Sequence, residues 1–313
     1  MRKIILSLVV CLSFMAVTAK SGWFGEAGLS QTKIGGMDMR TGILDMVGDG
    51  WVEGETLRIE DRYNMAPEFR LGYEFANTNR ISVYFFTYQY DPTFWQANSS
   101  GDGIYSLHVL PYSSYYYEAV RAKNAFSLDI LDLDYTAKIK ETSSWIFEYL
   151  MGIRYTSMKN NFNIEYLNAG FAGNDMFITK TYSSKLIGPK VGINAKTKAS
   201  DKLIFSAGAD FTVLAGEIDV RNNQRSVDGG TDGAVFDTWL KNNFSIQQIV
   251  NIQASLGYNI LENLMLKFGY KVGIWFNGVT TAEPVDGAGY APYLEEKHNL
   301  LMQSFTLSVS LFL

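Results

Sequence analysis

The chain contains 313 residues, with 27 Lys and Arg against 32 Asp and Glu, and its formal net charge is −5. This acidic balance argues against general nucleic-acid binding. A single cysteine leaves no disulfide framework, and after the N-terminal region no run reaches the roughly 18 apolar residues of a membrane-spanning helix. The 19 Tyr, 20 Phe and 28 Gly, with only 6 Pro, favour an all-β protein.

The first predicted element is a secretory signal peptide at residues 1–19. Arg2 and Lys3 precede an apolar core from Ile4 to Met15, and Val17-Thr18-Ala19 has the small residues of a cleavage site. The only cysteine, Cys11, lies inside that apolar core. We therefore expect residues 20–313 to form one mature domain without cysteine.

Ten strands are predicted after the signal peptide. Most of them alternate apolar with polar or small residues, which is the period of a strand with two unlike faces. The predicted segments are 23–31, 67–75, 81–90, 126–136, 144–156, 189–196, 203–213, 250–258, 263–277 and 304–313.

The segment 126–136 departs from simple alternation. Phe126 and Leu128 have one parity, whereas Leu131 and Leu133 have the other. A single β-bulge near residues 130–131 would place all four on one face and Asp129 on the opposite face. We therefore predict a bulge in this strand.

The segment 263–277 has the clearest contrast between faces. Every second residue from Leu264 to Phe276 is apolar, whereas Lys267 and Lys271 lie on the other face. This length exceeds that of most soluble strands and fits a tilted membrane strand of roughly 9–11 residues. The apolar face is predicted to contact lipid and the lysine face to line a barrel.

The connections alternate between two kinds. Links near 76–79, 138–143, 197–202 and 259–263 are short, and those near 35–64, 91–122, 158–183, 220–243 and 277–299 are long. This alternation is typical of an antiparallel up-and-down outer-membrane β-barrel with short periplasmic turns and long extracellular loops. Ten strands are predicted, and counts of eight or twelve also fit the pattern.

Several short motifs in this order resemble a known family. Phe126–Tyr135 (FSLDILDLDY), Gly152–Tyr155 (GIRY), Ile187–Ile193 (IGPKVGI), Leu264–Asn277 and His298 before the last strand are similar to the Legionella major outer-membrane protein family. The similarity covers most of the mature chain, more clearly from residue 66 onward. The resemblance implies a pore-forming β-barrel in the bacterial outer membrane, without a known substrate.

Charged residues on the inward face are the candidate functional residues. Two roles are open, because they can line an aqueous path that selects solutes by charge, or pair across the lumen and plug it. On the lipid side, Arg or Lys near the bilayer centre would cost roughly 2–4 kcal/mol. The predicted pore-lining residues are Glu68, Arg70, Glu74, Asp129, Asp132, Asp134, Glu148, Arg154, Lys190, Asp210, Lys267 and Lys271.

The function expected from these features is a porin-like channel for passive diffusion of small hydrophilic solutes or ions. The alternative is a plugged barrel whose extracellular loops act as an adhesin or receptor, with Tyr112–Tyr117 and Trp239 as contact residues for a surface ligand. The other expected partners are outer-membrane lipid and the outer-membrane assembly machinery, which would act on the C-terminal strand.

Enzymatic chemistry is not expected. His108 and His298 are the two histidines, and a hydrolase at the barrel rim that uses one of them is the third hypothesis. It is the least favoured of the three, because neither histidine stands in a motif with Ser or Asp. The segment Asp228–Asp232 lacks the spacing of a calcium-binding loop, and no nucleotide, zinc or cofactor motif is visible.

Overall fold

The computed structural model describes residues 22–36, 40–45, 54–75, 79–97, 103–106, 116–169, 174–200, 202–228, 231–284 and 293–313. The predicted signal peptide, His108 and Tyr112–Tyr115 lie outside these ranges. No helix in the described residues is long and apolar enough to cross a membrane. The strands are β1 (Trp23–Gly35), β2 (Arg40–Asp45), β3 (Gly54–Arg58), β4 (Asn64–Glu74), β5 (Arg80–Tyr90), β6 (Thr93–Ala97), β7 (Gly103–Ser106), β8 (Tyr116–Glu141), β9 (Trp145–Ala169), β10 (Asn174–Lys198), β11 (Leu203–Asp228), β12 (Thr231–Leu261), β13 (Leu264–Pro284) and β14 (Tyr293–Phe312).

Ten of these strands form a closed ring. Their order around the ring is β1, β4, β5, β8, β9, β10, β11, β12, β13 and β14, and every neighbouring pair is antiparallel. The last strand closes the ring against the first, with Phe24 opposite Phe312 and Leu29 opposite Leu307. The predicted ten-stranded antiparallel barrel is confirmed, and closure leaves no unpaired backbone edge within the membrane.

The two faces of the wall differ in the expected way. On β13, Phe268 is 55% exposed on the outer face, whereas Lys267 and Lys271 line the interior. Exposed apolar residues such as Leu131, Ile153, Val191 and Ile252 continue this apolar band on other strands. Because exposed apolar side chains are stable in lipid, this band marks the membrane-spanning part of the wall.

The predicted bulge in β8 is wrong, and with it the inward placement of Asp129. Pairing with β5 and β9 runs without a register shift from Phe126 to Thr136. Phe126 and Leu128 are buried inside the barrel together with Asp132. Asp129 therefore faces outward, where it accepts a 2.6 Å hydrogen bond from Thr87 Oγ1. Its position next to Ser157 lies at the outer border of the apolar band, where a carboxylate can reach water.

The strands extend well beyond the membrane on the side of the long connections. The segments predicted as loops at 158–183 and 220–243 lie largely within strands β9 to β12, which are 25 to 31 residues long. In this extracellular wall the chemistry of the two faces is reversed. On β9, Met158 and Ile164 are buried inside, whereas Lys159 and Asn161 point outward.

A layer of buried apolar side chains fills the extracellular half of the lumen. Each of the ten ring strands contributes at least one member to this apolar layer, and the members are between 0% and 8% exposed. A second apolar cluster, which includes Ile104 of β7 and Leu57 of β3, packs against β8, β9 and β10 above it. The apolar layer consists of Ile34, Ala66, Tyr84, Phe86, Tyr88, Phe126, Leu128, Ile130, Met158, Tyr182, Leu186, Leu214, Ile218, Val220, Ile249, Trp275, Val279, Ala282, Leu300 and Met302.

Candidate functional site: the lumen

The periplasmic half of the lumen contains a polar cavity of about 360 Å³. We refer to it as the periplasmic cavity, because its lining includes Phe24, Glu74, Arg80, Lys196 and Phe312 near the short-turn ends of the strands. Ten of the predicted pore-lining residues line it, and Glu148 lies beside it on the inner face of β9. That these side chains line a conducting path stays a prediction. The ten are Glu68, Arg70, Glu74, Asp132, Asp134, Arg154, Lys190, Asp210, Lys267 and Lys271.

Five charged side chains form one connected ion-pair cluster at the middle of the lumen. Arg154 donates from Nε and Nη2 to the two oxygens of Asp132, both at 2.7 Å. Lys190 Nζ lies 2.7 Å from Asp132 and 2.9 Å from Asp134, and Arg154 Nη1 lies 3.5 Å from Asp210. Bidentate and charge-assisted hydrogen bonds are the strongest of their kind in proteins, so this cluster is a rigid bridge between β8, β9, β10 and β11.

The cluster is almost fully withdrawn from solvent. The Asp132 side chain is 1% exposed and the Arg154 side chain 2% exposed. Such charges are tolerated only when they are paired and hydrogen-bonded, because an isolated buried charge is costly. Gly152 makes the arrangement sterically feasible. A Cβ at this position would lie 2.5 Å from Asp134 Oδ1, so the glycine leaves room for the carboxylate.

Further ion pairs surround the cavity at its periplasmic end, and sequence reasoning missed three of their members. Glu148 accepts from Arg80 at 2.8 Å and from Lys196 at 3.0 Å, and Lys267 lies 3.2 Å from Glu26. The alternation rule that identified the other lumenal charges applies equally to Glu26, Arg80 and Lys196. Arg80 and Lys196 stand beside predicted turns, and Glu26 is the sole charge on the predicted first strand.

The apolar layer packs across the lumen above the ion-pair cluster. Leu128 of β8 and Trp275 of β13 are five strands apart around a ring of ten, so they start from opposite walls. Both nevertheless line the same void of about 10 Å³, together with Met302 and Ile249. A void of this size is at the lower limit for holding one water molecule. Side chains from opposite walls therefore meet in the centre of the barrel.

The outer face of the extracellular wall carries a second polar feature. Trp239 is 57% exposed, and the cationic groups of Arg221 and Lys241 lie 5.8 Å and 5.0 Å from its ring centroid. Arg221 also donates two hydrogen bonds to Asp237, at 3.0 Å and 2.9 Å. These hydrogen bonds hold the pKa of Asp237 below its ordinary value.

His298 lies in the extracellular part of β14. Its Nε2 is 3.3 Å from Thr281 Oγ1 and 3.8 Å from Glu296 Oε2. These neighbours are a hydroxyl and a partly exposed carboxylate at the strand surface. Their geometry does not identify a nucleophile activated by a base.

One family model matches most of the chain. This model, described as Legionella pneumophila major outer membrane protein precursor, matches residues 29–311. No curated protein sequence matches the chain.

Solved structures of outer-membrane barrels align over nearly the whole chain at low similarity. The outer membrane protease OmpT from Escherichia coli is 8% identical, with 95% of this chain and 99% of that chain covered and a TM-score of 0.49. The Pseudomonas putida toluene transporter TodX is 11% identical, with coverage of 96% and 91% and a TM-score of 0.41. Neisserial surface protein A is 8% identical, with coverage of 94% and 99% and a TM-score of 0.28. The protease and transporter activities belong to those proteins and are not transferred to this chain.

Proposed function

Because the chain belongs to the Legionella major outer membrane protein family, and is therefore a barrel of the bacterial outer membrane, we propose that it is a surface barrel whose lumen is closed to passive diffusion. The observation that carries this proposal is the apolar layer to which all ten ring strands contribute. Leu128 and Trp275 meet across the lumen at a void of about 10 Å³. Hydrated ions need a continuous aqueous path, and densely packed apolar side chains do not provide one.

The extracellular wall is the part that such a barrel presents to its surroundings. The extended strands raise a polar outer face above the membrane, and Trp239 with its two neighbouring cations is exposed on that face. Aromatic and Arg side chains are enriched where proteins bind partners. The binding surface in this proposal is therefore the outer wall rather than the lumen.

A passive channel for small hydrophilic solutes or ions is the second candidate. The charged periplasmic cavity favours it, because charged side chains facing water are what a selective pore requires. In this case the apolar layer would be a gate that opens by moving its side chains. The channel and the closed barrel differ in one measurable property, which is conductance.

The test is single-channel recording of the refolded barrel in a planar lipid bilayer. The wild type is expected to insert without steady conductance steps. A triple variant with Leu128→Ala, Trp275→Ala and Met302→Ala empties the centre of the apolar layer and is expected to conduct in reproducible steps. Steady steps from the wild type would refute the closed lumen and establish the channel.

A matched control separates hollowing of the lumen from general loosening of the wall. Leu131, Ile274 and Leu301 lie on the same three strands, but they are exposed on the outer face. Their replacement by Ala removes three apolar side chains on the lipid side and is expected to leave the barrel silent. Equal conductance from both triple variants would show that leakage through a weakened wall, and not the apolar layer, sets the result.

A further inference from the structure

The inner end of the periplasmic cavity contains two cations that the ion pairs described above do not use. Arg70 Nε is buried and has no hydrogen-bond partner. The Arg70 guanidinium lies 5.2 Å from the centroid of the Tyr84 ring, and Lys271 Nζ lies 5.6 Å from the same centroid. Neither side chain forms an ion pair with a carboxylate among the residues that the structure describes. Two cations thus approach one aromatic ring at the base of the apolar layer.

The neighbouring carboxylates already have partners. Glu26 accepts from Lys267 and from Ser308, and Glu68 accepts a 2.7 Å hydrogen bond from Tyr84 Oη. Asp134 is held by Lys190. These acids moderate the positive potential around Arg70, but none lies within ion-pair distance of it. An unpaired buried donor on a charged group is costly and therefore requires an explanation in a folded protein.

The position of the two cations in the barrel points to a site with one entrance. Lys271 Nζ lies 5.9 Å from the ring of Phe86, which is a member of the apolar layer, so it sits at the inner end of the cavity. The layer blocks the extracellular side. The cavity reaches the short-turn ends of the strands, and a solute would therefore enter it from the periplasm.

We propose that the periplasmic cavity binds a small oxyanion between Arg70 and Lys271. The ligand class is a carboxylate- or phosphate-bearing solute from the periplasm. Arg presents a planar fork that matches two oxygens of such a group, and Lys adds a point charge from β13, three strands away around the ring. The volume of about 360 Å³ lies at the lower end of the range for small-molecule sites, so the ligand is small.

The experiment is isothermal titration of the folded full-length mature barrel in detergent micelles with inorganic phosphate and, separately, with acetate. Saturable binding of one or both is expected, and the comparison distinguishes phosphate from carboxylate chemistry. Arg70→Gln and Lys271→Met are each expected to weaken binding at least tenfold. Arg70→Lys, which keeps the charge and loses the fork, is expected to bind with intermediate affinity.

The matched control is Lys202→Met, which removes one positive charge from a short turn outside the cavity lining. This variant is expected to bind as the wild type does. Wild-type protein without saturable binding of either anion would overturn the proposal, as would equal affinity in the wild type and in Lys271→Met. If Arg70→Gln does not assemble, the comparison of Lys271→Met with Lys202→Met decides alone.

The binding measurement does not depend on whether the lumen is closed. Conductance of the wild type would refute the closed barrel and leave the titration result unchanged. Conversely, absence of anion binding would refute this site and leave the closed lumen standing.

Discussion

The ion-pair cluster offers a direct test of how the lumen stabilises the barrel. Asp132→Asn keeps the side-chain volume and removes the charge that receives three hydrogen bonds of 2.7 Å from Arg154 and Lys190. Breaking a buried ion pair from one side costs about 3–5 kcal/mol. Lys190 keeps Asp134 and Arg154 keeps Asp210, so we expect the lower end, about 3 kcal/mol, which is more than a hundredfold in the unfolding equilibrium.

The assay is urea unfolding of the barrel refolded into thin lipid vesicles, followed by tryptophan fluorescence and by the mobility of unheated protein in gels. The control is Asp237→Asn. Asp237 makes the same two-pronged pair with Arg221, but on the surface, where the two side chains are 42% and 45% exposed. Exposed pairs contribute about 0–1 kcal/mol, so the control should shift the unfolding free energy by less than that.

Both aspartates make the same two-pronged pair with an arginine, so the comparison of the two substitutions tests burial together with the additional hydrogen bond that Asp132 receives from Lys190. If Asp132→Asn costs no more than Asp237→Asn, then the buried cluster does not stabilise the barrel and the lumen is more hydrated than its burial indicates. If Asp132→Asn prevents assembly, the double variant with Arg154→Met should restore it, since the arginine that has lost its two-pronged partner is then absent from the interior.

Three further predictions concern other parts of the wall and use the same unfolding assay. Gly152→Ala would bring a methyl group within 2.4 Å of a carbonyl oxygen and should destabilise the barrel by about 1–3 kcal/mol. Gly269→Ala, where the new methyl group has no neighbour nearer than 3.7 Å, should leave the stability unchanged. Equal effects of the two substitutions would contradict the steric explanation. Ile252→Lys places a charge on the lipid face and should lower the free energy of unfolding by roughly 2–4 kcal/mol. The adjacent lumenal substitution Gln253→Lys should lower it by less than about 1 kcal/mol. The reverse order would show that the two faces are assigned the wrong way round. Hydrogen bonds lower the pKa of Asp237 in the folded barrel, so its contribution to the free energy of unfolding is complete above the ordinary Asp pKa of about 3.9. This contribution is lost as pH falls through the lower folded pKa. The difference in urea midpoint between the wild type and Asp237→Asn should therefore shrink in that pH range.

The barrel itself could be predicted from the sequence because its main signal is local. Alternation with period two identifies each strand, and the contrast of short and long connections gives the direction of the strands and their even number. The lipid-facing side of β13 follows from the same rule, as Phe268 and Ile274 on the outer face show. Closure needed only that every strand pairs with its neighbours, whereas the strand registers were not predicted, because alternation does not determine them.

The error at Asp129 came from one assumption about the lumen. The bulge was predicted in order to keep Phe126 and Leu128 on the same face as Leu131, as if every apolar residue of the strand faced lipid. In the structure the strand continues its alternation without a bulge, and its inner face changes from polar to apolar along its length. Leu128 therefore lies inside the barrel on the same face as Asp132. Parity alone does not reveal where along a strand the membrane ends.

The change of chemistry along each strand explains both the polar inner face within the membrane and the apolar layer above it. Within the membrane the outer face must be apolar, which leaves the polar residues for the interior. Above the membrane the outer face meets water, so the ordinary preference for apolar interiors returns, and Met158 is buried while Lys159 is exposed. A strand that extends far beyond the lipid therefore acquires an apolar inner face over that part of its length.

In a barrel of ten strands this inner face has a structural consequence. The barrel is only slightly wider than the eight-stranded barrels whose interiors side chains can fill. Large residues such as Trp275 and Phe86 can thus reach their counterparts from the opposite wall, and the apolar layer forms as a hydrophobic core. An open pore would need polar residues on both faces above the membrane, and the inner face of β9 from Met158 to Tyr166 is instead largely apolar and buried. The same strand extension that raises the outer wall above the membrane therefore also places the packed apolar layer inside the barrel.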